Sequence, residues 1–570
     1  MTLLFAAALL LSALPGAAQN LPPFDLSGQG VDKRPDLLDE RLDSQPPSLT
    51  IPAPPASEKK RDGEIAKGVF VKKIIVTGSS VFSVEELAQV IAKYENRVAS
   101  IDTLETIRRD LTLLYVSKGY VVSGAILPDQ KIENGQITFQ IIEGKLTNIN
   151  LQGNSGFSDS YLRKRIAPGA MTPVNIIPLQ ERLQLLQQDQ RIERVHAELR
   201  PGGRPGEAEL NVKVDEKPPF SAWFAFNNYQ SPSIGAERGV MTLSRQNLLG
   251  QGDTVSFTYG YSDGLNPLLD TWISLPLNAY DTSLMFRYRK NESKVVESAF
   301  APLDIISKSE AFELSVRQPL YRSLNQEFAL TLAAEHVRSD TSLLGEPYSF
   351  SPGVDNGKSV VVPIRVSQDW TYRSQRQVMT ARSRMSFGID GWDATVHDKK
   401  NGPDGRFFSW LGQFQWAQVT GLWDTQLIAR ADLQKSSDAL LPVEQMSIGG
   451  RYSVRGYREN LLVRDEAFIA SLEARLPLLQ NERWADYLQI CPFLDYGNGS
   501  NNATDTSGPR GDISSIGIGF RWAAALLKAP FELKAETELY WGHQLRTIQG
   551  PNNDLQDNGI HFQLGISALF

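Results

Sequence analysis

The residues most suggestive of catalysis form one short motif. Gly260-Tyr261-Ser262-Asp263-Gly264 matches G-x-S-x-G, the pattern in which a serine nucleophile sits on a sharp turn between a strand and a helix. In this chain the motif follows an alternating run and precedes Pro267 and a second β-like run, which predicts a hairpin loop. No catalytic residue is therefore assigned, and the chain is predicted not to be an enzyme.

The sequence also shows no pattern typical of a metal site or a nucleotide-binding loop. The five histidines are far apart, without the spacing of metal ligands, and Cys491 is the single cysteine. The G-x-x-x-x-G-K-[ST] pattern of an ATP-binding loop is absent from the sequence. We therefore predict no metal site, no internal disulfide and no cofactor.

A charged pair is the stronger candidate for a functional site. Arg455 lies close to Gly450 and Gly456, and glycine allows the backbone to turn sharply. Forty residues later, Asp495 lies within a strand-like run. An arginine and a carboxylate can form a bidentate and directional pair, so the elements that position these two residues decide whether they meet.

Length and composition limit what those elements can be. The 570 residues exceed what one hydrophobic core holds, about 250–300 residues. Apolar residues make up 41% and charged residues 22%, which excludes both a disordered chain and a bundle of membrane helices. The net charge of −7, with both signs spread along the chain, argues against nucleic acid as a partner.

The first 66 residues are predicted to hold no packed domain. Residues 1–18 contain an apolar stretch followed by small residues, which is typical of a secretory signal peptide. Residues 19–66 contain eight prolines, and proline removes backbone donors and favours extended conformations. Pro35 stands where the first turn of one short helix would begin. We therefore expect a linker with at most one short helix.

Two similar small domains are predicted next, at residues 67–144 and 145–217. Both segments follow the order β, α, α, β, β, which is a repeat signal. In the first, Ser83 and Glu86 form an S-x-x-E capping box at a helix start. A sheet edge in such a domain can accept an extended segment of a partner. The alternative is that both domains are spacers that bind no client.

Residues 218–570 are predicted to form a transmembrane antiparallel β-barrel of about 16 strands. Runs of about ten residues alternate apolar and polar positions, which places one face in lipid and the other in a wet lumen. Closure is required because an open sheet edge does not survive in hydrocarbon. Phe493, Asp495 and Gly497 share one strand face, opposite Leu494 and Tyr496, so Asp495 is predicted to point into the lumen.

The chain resembles the outer-membrane transporters of two-partner secretion, the TpsB family of the ShlB/FhaC/HecB haemolysin-activation/secretion type. The resemblance covers essentially the whole chain after residue 18, with two POTRA domains and a barrel, and Val454-Arg455-Gly456-Tyr457 is its most specific motif. The segments that carry it are Lys118-Gly119-Tyr120 through Ile142-Glu143-Gly144, Asn227-Asn228-Tyr229 through Asp253, Gly449 through Tyr457, and Phe493 through Gly497. The chain departs from the family pattern after the loop, at Val463-Arg464-Asp465.

The resemblance implies a function and a set of partners. Residues 19–66 would form a periplasmic linker, and the short helix after Pro35 would plug the resting lumen. The POTRA domains would lie in the periplasm and bind a large secreted exoprotein, which would pass through the barrel without nucleotide hydrolysis. Val454, Arg455, Gly456 and Tyr457 would form the tip of the sixth extracellular loop, folded inside the barrel so that Arg455 pairs with Asp495. The other expected contacts are outer-membrane lipid and the barrel-assembly machinery, through the C-terminal strand that ends at Phe570.

Two other barrel functions stay open at this point. A porin for small solutes would explain the barrel but not two preceding POTRA-like domains. An outer-membrane assembly factor that inserts barrels would explain both features, although such proteins typically carry more POTRA domains and lack the proline-rich segment.

Overall fold

The computed structural model describes residues 48–51, 68–397, 402–482, 484–502, 511–528, 531–548 and 553–570. The chain forms two compact units. One consists of Ser44–Lys217 with Gly250–Gly252, and the other contains Pro218–Leu249 and Asp253–Phe570. The predicted signal peptide at residues 1–18 and the predicted short helix after Pro35 lie outside the described residues.

The first unit contains two small α/β modules. Their sheets have the strand orders β3-β6-β5 and β1-β8-β9-β7, and β2 and β4 form a separate ribbon. Short 3-10 helices follow α1 and α3. The elements, in chain order, are β1 (Ser48–Thr50), β2 (Val69–Val71), β3 (Lys73–Thr77), α1 (Val84–Ile91), β4 (Arg97–Ala99), α2 (Ile101–Ser117), β5 (Gly124–Ile126), β6 (Gln136–Ile142), β7 (Lys145–Gln152), α3 (Asp159–Ile166), α4 (Ile176–Gln187), β8 (Ile192–Pro201) and β9 (Glu207–Glu216).

Helix α2 packs on the sheet of the first module. Ile107 and Leu111 lie on one helical face, are fully buried and belong to the same core as Phe139 of β6. The predicted capping box is present at the start of α1, where the Ser83 hydroxyl accepts from the Glu86 N–H at 3.2 Å and the Glu86 carboxylate accepts from the Ser83 N–H at 2.9 Å. These contacts satisfy N–H groups that a helix start otherwise leaves unpaired.

The apolar run Val69–Thr77, which looks like one strand in the sequence, forms two strands. The chain bends at Lys72, where the N–H groups of Lys72 and Lys73 both donate to the carbonyl of Gly135, at 2.7 and 3.2 Å. The bend separates β2, which pairs with β4, from β3, which pairs in parallel with β6. The alternation of apolar residues is the same on both sides of such a bend, so the sequence pattern did not reveal it.

Glu143 closes the far end of the first module. Its carboxylate accepts hydrogen bonds from the Ser80 N–H at 2.6 Å, the Val81 N–H at 3.1 Å and the Tyr115 hydroxyl at 3.1 Å. Burial alone would raise the pKa of Glu143, but the donors at Ser80, Tyr115 and Val81 outweigh it and hold that pKa below its usual value. The ionised carboxylate therefore stabilises this module.

The Lys118-Gly119-Tyr120 motif lies at the junction of the two modules. Asn175 precedes α4, and its side-chain amide donates to the Lys118 carbonyl at 3.0 Å. The Ile176 N–H donates to the Gly119 carbonyl at 3.0 Å. Gly119 has a φ of 91°, which favours glycine, and an added Cβ would approach the Asn175 side chain to 2.5 Å. The motif thus joins one module to the next.

A part of the proline-rich segment is a strand. In the second module, α3 and α4 cover a core that includes Leu162, Leu183 and Val214. Across the open edge of β8 lies β1, from within residues 19–66, where only linker and one helix were expected. A strand of three residues carries almost no periodic signal, so the sequence could not predict it.

Sixteen long strands close into an antiparallel barrel, and four short strands lie in its loops. The bounds, in chain order, are β10 (Phe220–Asn227), β11 (Arg238–Gln246), β12 (Thr254–Ser262), β13 (Leu265–Pro276), β14 (Ser283–Lys294), β15 (Ile306–Arg322), β16 (Gln326–Leu343), β17 (Glu346–Pro347), β18 (Lys358–Val361), β19 (Pro363–Arg373), β20 (Gln377–Gly388), β21 (Phe408–Val419), β22 (Gln426–Ser436), β23 (Met446–Ile448), β24 (Leu462–Arg464), β25 (Glu466–Glu482), β26 (Ala485–Ser500), β27 (Gly511–Leu527), β28 (Glu532–Gln544) and β29 (Ile560–Leu569). The short strands are β17, β18, β23 and β24.

The barrel closes between its first and last strands. β10 pairs antiparallel with β29, so that Phe224 stands opposite Ile566, and neither strand keeps a free edge. The predicted alternation is clear on β26, where Phe493, Asp495 and Gly497 are buried while Leu494 is exposed. The fold class predicted from the sequence is therefore confirmed. Among the described residues, no helix is both long enough and apolar enough to cross a membrane.

The G-x-S-x-G motif forms a hairpin, as predicted. Ser262 is the last residue of β12, Asp263 and Gly264 make the turn, and β13 follows directly. A strand in this place cannot supply the helix that a nucleophile elbow requires. The Ser262 hydroxyl is buried and donates to the Ile234 carbonyl at 2.8 Å, which is a structural bond.

Candidate functional site

The candidate site is built on a long loop between β22 and β25, which we call the inserted loop (residues 437–465). Strands β23 and β24 pair antiparallel and form its stem, and the tip runs from Gly449 to Leu461. Gly449, Gly450 and Gly456 all have positive φ, between 92° and 112°, a region that other residues avoid. The glycines thus allow the sharp turns that carry the tip against the inner wall of the barrel.

Arg455 and Asp495 meet on that wall. Nε of Arg455 lies 2.7 Å from Oδ2 of Asp495, and Nη2 lies 2.8 Å from Oδ1, which is a bidentate pair. The backbone N–H of Arg455 donates to the same carboxylate at 3.0 Å. Arg455 is 2% exposed and Asp495 is 0% exposed, so water competes little for these bonds.

The wall supplies further partners for Arg455. Its Nη1 donates to Glu473 of β25, and its Nη2 donates to Ser471 Oγ at 3.1 Å. Its guanidinium carbon lies 3.7 Å from the centre of the Phe493 ring, a cation–π contact. Phe493 was predicted only as part of the motif around Asp495. The structure shows it as the aromatic surface on which the guanidinium lies.

The residues on either side of Arg455 fit the tip to the wall. Val454 is buried in an apolar cluster with Ile448 and Ile513. The Tyr457 hydroxyl lies 2.9 Å from the Ser514 carbonyl and 2.8 Å from the Arg546 carbonyl, in geometry to donate to either. All members of the predicted loop motif are therefore in contact with the barrel.

Two glycines leave the space that the tip occupies. A Cβ on Gly456 would lie 2.7 Å from the carbonyl oxygen of Gly542, and a Cβ on Gly497 would lie 2.5 Å from Ile448 and 2.8 Å from Val454. Distances this short are not tolerated between a Cβ and other heavy atoms, so both positions require glycine. Gly497 was predicted as a motif residue, and the structure supplies its steric reason.

Sequence reasoning missed the second acidic residue of the site. Glu473 accepts from Arg455 and, at 2.7 Å, from Nε of Arg475. It points inward on β25 from the same face as Ser471. Strand parity could have placed Glu473 in the lumen, but not beside Arg455, because the pairing depends on how the loop folds.

A second basic residue of the tip, Arg451, was also missed as a site residue. Its Nη2 donates to Glu538 of β28 at 2.8 Å, and its guanidinium lies 4.0 Å from the centre of the Tyr540 ring. Tyr540 is completely buried on the lumen face of β28, because it shares the parity of Glu538.

The rest of the inserted loop is held by two more ion pairs. Before the tip, Glu444 accepts from Arg365 of β19 at 2.7 and 3.0 Å, and Arg365 also donates to Glu335 of β16. Near the end of the tip, Arg458 donates to Asp557 at 2.5 and 2.8 Å. The loop is thus fastened to distant parts of the barrel wall as well as at Arg455.

Asp465, in the segment where the chain departs from the family pattern, closes the base of the loop. It is 1% exposed and accepts from the Leu440 N–H at 3.0 Å, the Gln445 side-chain amide at 2.8 Å and the Asn502 N–H at 2.8 Å. One buried carboxylate therefore ties both limbs of the loop to the connection after β26.

The geometry of the site is that of a binding contact between the loop and the wall. Within the part of the chain that the structure describes, no three His, Cys, Asp or Glu side chains lie close enough to hold a metal ion. Cys491 is fully buried. The charged groups of the site pair with one another, which suits them to holding the loop.

Comparison with known proteins supplies the family. A model described as haemolysin secretion/activation protein ShlB/FhaC/HecB matches residues 206–522, and a model of the ShlB-type POTRA domain matches residues 69–144. The chain belongs to this family. It is an outer-membrane transporter that carries a secreted partner protein across the outer membrane in two-partner secretion, with its POTRA domains in the periplasm.

Curated relatives and a solved structure are similar to the chain. The chain is 24% identical to an outer membrane transporter CdiB of Escherichia coli O6:K15:H31 over 450 residues, 75% of this chain and 72% of that one. It is 26% identical to a heme/hemopexin transporter protein HuxB of Haemophilus influenzae over 170 residues, 30% of each chain. The solved CdiB from Escherichia coli matches with a TM-score of 0.64 and 19% identity, over 93% of this chain and 95% of that chain.

A second solved structure shares the fold. BamA from Haemophilus ducreyi, without POTRA domains 1–3, matches with a TM-score of 0.52 and 13% identity, over 88% of this chain and all of that chain. A likeness at this identity concerns the fold alone. The matching family model describes secretion, so the insertase alternative is less supported than export.

Proposed function

We propose that the Arg455–Asp495 pair holds the inserted loop in the position that the exporting barrel requires. The observation that carries this proposal is the set of three hydrogen bonds from one loop residue to one fully buried wall carboxylate. Breaking a buried pair of this kind by removing one partner costs about 3–5 kcal/mol. Such a cost is enough to decide whether a loop stays on the wall.

Each segment of the chain has its own proposed role. Residues 19–66 form the periplasmic linker, residues 67–144 and 145–217 the two POTRA domains, and residues 218–570 the barrel. The POTRA domains capture the unfolded secreted partner, partly by adding its extended segments to a sheet edge. The partner then passes through the polar lumen. Its folding outside the cell biases the motion, because the folded form can no longer return.

The C-terminal strand is proposed to be the signal for the barrel-assembly machinery. Phe570 exchanges backbone hydrogen bonds with Phe220 at 2.9 and 3.0 Å, and their rings stack at 5.8 Å. The side chain is 47% exposed on the outer face, at the seam where the barrel closes. An aromatic residue in this place is available to a partner before the seam forms.

The proposal is tested by replacing Arg455 with alanine and measuring secretion of a partner exoprotein produced together with this chain. We expect a normal amount of folded barrel in the outer membrane and a loss of secreted partner. The matched control is Arg338→Ala. Arg338 forms the same bidentate pair with Asp340, at 2.7 and 2.9 Å, but the pair is solvent-exposed and contributes little.

The control is expected to secrete normally. Normal secretion by Arg455→Ala as well would show that the pair has no role in export. Equal loss of secretion in both variants would mean that the effect comes from removing any arginine and not from breaking the Arg455–Asp495 pair.

A further inference from the structure

The outer face of β14, β15 and β16 changes sharply from apolar to charged along the strands. Phe286, Leu314 and Leu332 are exposed on this face, as side chains in contact with lipid are. Next along the strands come Tyr288 and Phe312, which stand opposite each other with ring centres 4.9 Å apart. Aromatic side chains on the outside of a barrel mark the edge of its apolar band. This pair therefore marks where the hydrocarbon layer ends.

That edge is the extracellular one. The POTRA domains precede β10 in the chain and lie in the periplasm, so β10 runs away from the periplasm. Neighbouring barrel strands are antiparallel, and β14, the fifth of the barrel, runs in the same direction as β10. β15 and β16 have 17 and 18 residues, whereas about 9–11 cross the hydrocarbon. The residues beyond the aromatic pair therefore lie among the head groups of the outer leaflet and above them.

Two rows of charged side chains cross the sheet beyond the aromatic pair. In the first row, Lys290 stands opposite Glu310, and Glu310 stands opposite Arg338. Successive rows are two residues apart, about 7 Å along a strand, which a tilt of about 45° reduces to about 5 Å of height. The second row consists, in order across β14, β15, β16 and β18, of Glu292, Lys308, Asp340 and Lys358.

Most of these charges are paired with one another. The Lys308 ammonium lies 3.0 Å from the Glu292 carboxylate, and Arg338 forms its bidentate pair with Asp340. The two rows hold four basic and three acidic side chains, so their net charge is +1. Cross-strand pairs of opposite charge stabilise a sheet by a few tenths of a kcal/mol up to about 1 kcal/mol each, which accounts for the paired side chains.

Two lysines of the rows are left over. The Glu310 carboxylate, opposite Lys290, accepts from the Tyr288 hydroxyl at 2.6 Å. Lys358 stands opposite Asp340, which is already paired. Within the part of the chain that the structure describes, neither Lys290 nor Lys358 forms an ion pair. Three strand spacings separate β14 from β18, so the two lysines stand about 14 Å apart across the sheet.

We propose that this part of the barrel binds a phosphorylated glycolipid of the outer leaflet, with Lys290 and Lys358 each holding a phosphate group. A lysine ammonium binds phosphate as a compact point charge, and basic side chains at a membrane surface attract anionic head groups. Phe286, Leu314 and Leu332 contact the acyl chains of the same lipid. The site lies on the outside of the barrel, so it is separate from the Arg455–Asp495 pair and goes beyond the proposed function.

The first test compares lipids that differ only in their phosphates. The full-length protein, purified in nonionic detergent, is titrated with lipid A, an acylated glucosamine disaccharide with two phosphates, and binding is followed by native mass spectrometry. Fully dephosphorylated lipid A has the same acyl chains and sugars. We expect wild type to bind the bisphosphorylated form at least about tenfold more tightly, and this preference should shrink as salt is added. Phosphatidylglycerol, which has one phosphate and no sugar, should bind more weakly than lipid A.

The second test removes the two unpaired lysines. Lys290→Gln with Lys358→Gln should weaken binding of bisphosphorylated lipid A at least about tenfold and leave the dephosphorylated form unaffected. The matched control is Lys435→Gln with Lys528→Gln, which removes the same charge. Lys435 of β22 is 58% exposed but is paired with Glu466 at 2.7 Å, and Lys528 follows β27 at the periplasmic end. The control should bind as wild type does, and heat-modifiable migration in gels shows that both variants are folded barrels.

The outcomes judge the glycolipid site alone. Equal affinity of wild type and the Lys290/Lys358 variant for bisphosphorylated lipid A would overturn it, and so would the same loss in the control, since net charge would then be the cause. Equal binding of both lipid A forms by wild type would reduce the contact to acyl chains and overturn it as well. Binding of phosphatidylglycerol as tight as that of lipid A, or no binding of lipid A at all, would also contradict the proposal. The Arg455→Ala secretion test is independent of all these results.

Discussion

Replacing Asp495 by asparagine keeps the size of the side chain and removes its charge. The carboxylate accepts from Nε, Nη2 and the backbone N–H of Arg455, and an asparagine directs an NH2 group at one of these donors. Loss of one partner of a buried pair costs about 3–5 kcal/mol. Glu473 and Ser471 remain to hold Arg455, so the lower end of that range, about 3 kcal/mol, is expected.

The assay is hydrogen exchange of the loop tip in the full-length protein. The Arg455 amide donates directly to Asp495, so its exchange reports the opening of this contact. A loss of about 3 kcal/mol corresponds to roughly a hundredfold faster exchange in peptides that cover residues 450–457. Asp340→Asn, which breaks the exposed pair with Arg338, is the control and should leave the tip unchanged. Exchange of the tip within about threefold of wild type in Asp495→Asn would refute the reasoning.

Three further changes test other parts of the account. Gly456→Ala should displace the tip and abolish secretion while the barrel still assembles, because the new Cβ meets the Gly542 carbonyl at 2.7 Å; heat-modifiable migration in gels and secretion are the measurements. Glu444→Arg should loosen the first limb of the loop, and adding Arg365→Glu should restore part of its protection from exchange, since the pair is then reversed and not removed. The effect of Glu143→Gln should be largest at neutral pH. The pKa of this carboxyl is held below its usual value in the folded module, so its stabilisation is fully present above the usual value and is lost as the pH falls through the lowered pKa. Hydrogen exchange of residues 68–142 in both proteins, compared at each pH, should therefore differ at neutral pH and converge in acid below the lowered pKa.

The alternation of residues along each strand predicted from the sequence which side chains of the site face the lumen. Asp495 faces the lumen because it lies two residues from Phe493 and Gly497 on one strand, a spacing that any alternating pattern preserves. The loop glycines also followed from local chemistry, since their positive φ is a property of the turn itself. Contacts of this local kind depend on neighbouring residues, so they can be read from the sequence.

Contacts set by closure of the barrel could not be predicted in the same way. Glu473, Glu538 and Glu444 each pair with an arginine from a different strand or loop, and the partners are brought together only when the loop folds against the wall. Tyr540 shows the same limit, since an aromatic residue near a strand end suits either the membrane interface or the lumen until the register is known. β1 was missed because its stability comes from β8 and not from its own pattern.

Passage of the partner through the lumen is the central claim, and crosslinking at two neighbouring wall residues tests it most directly. Thr242 lies on the inward face of β11, with its hydroxyl 2.9 Å from that of Thr258, whereas the next residue, Leu243, is exposed on the outer face. A photo-crosslinking amino acid would be placed at each position while a partner carrying a folded C-terminal fusion is stalled in export. The account predicts a crosslink to the partner from position 242 and none from position 243. Crosslinks of equal yield from both positions, or from 243 alone, would contradict it.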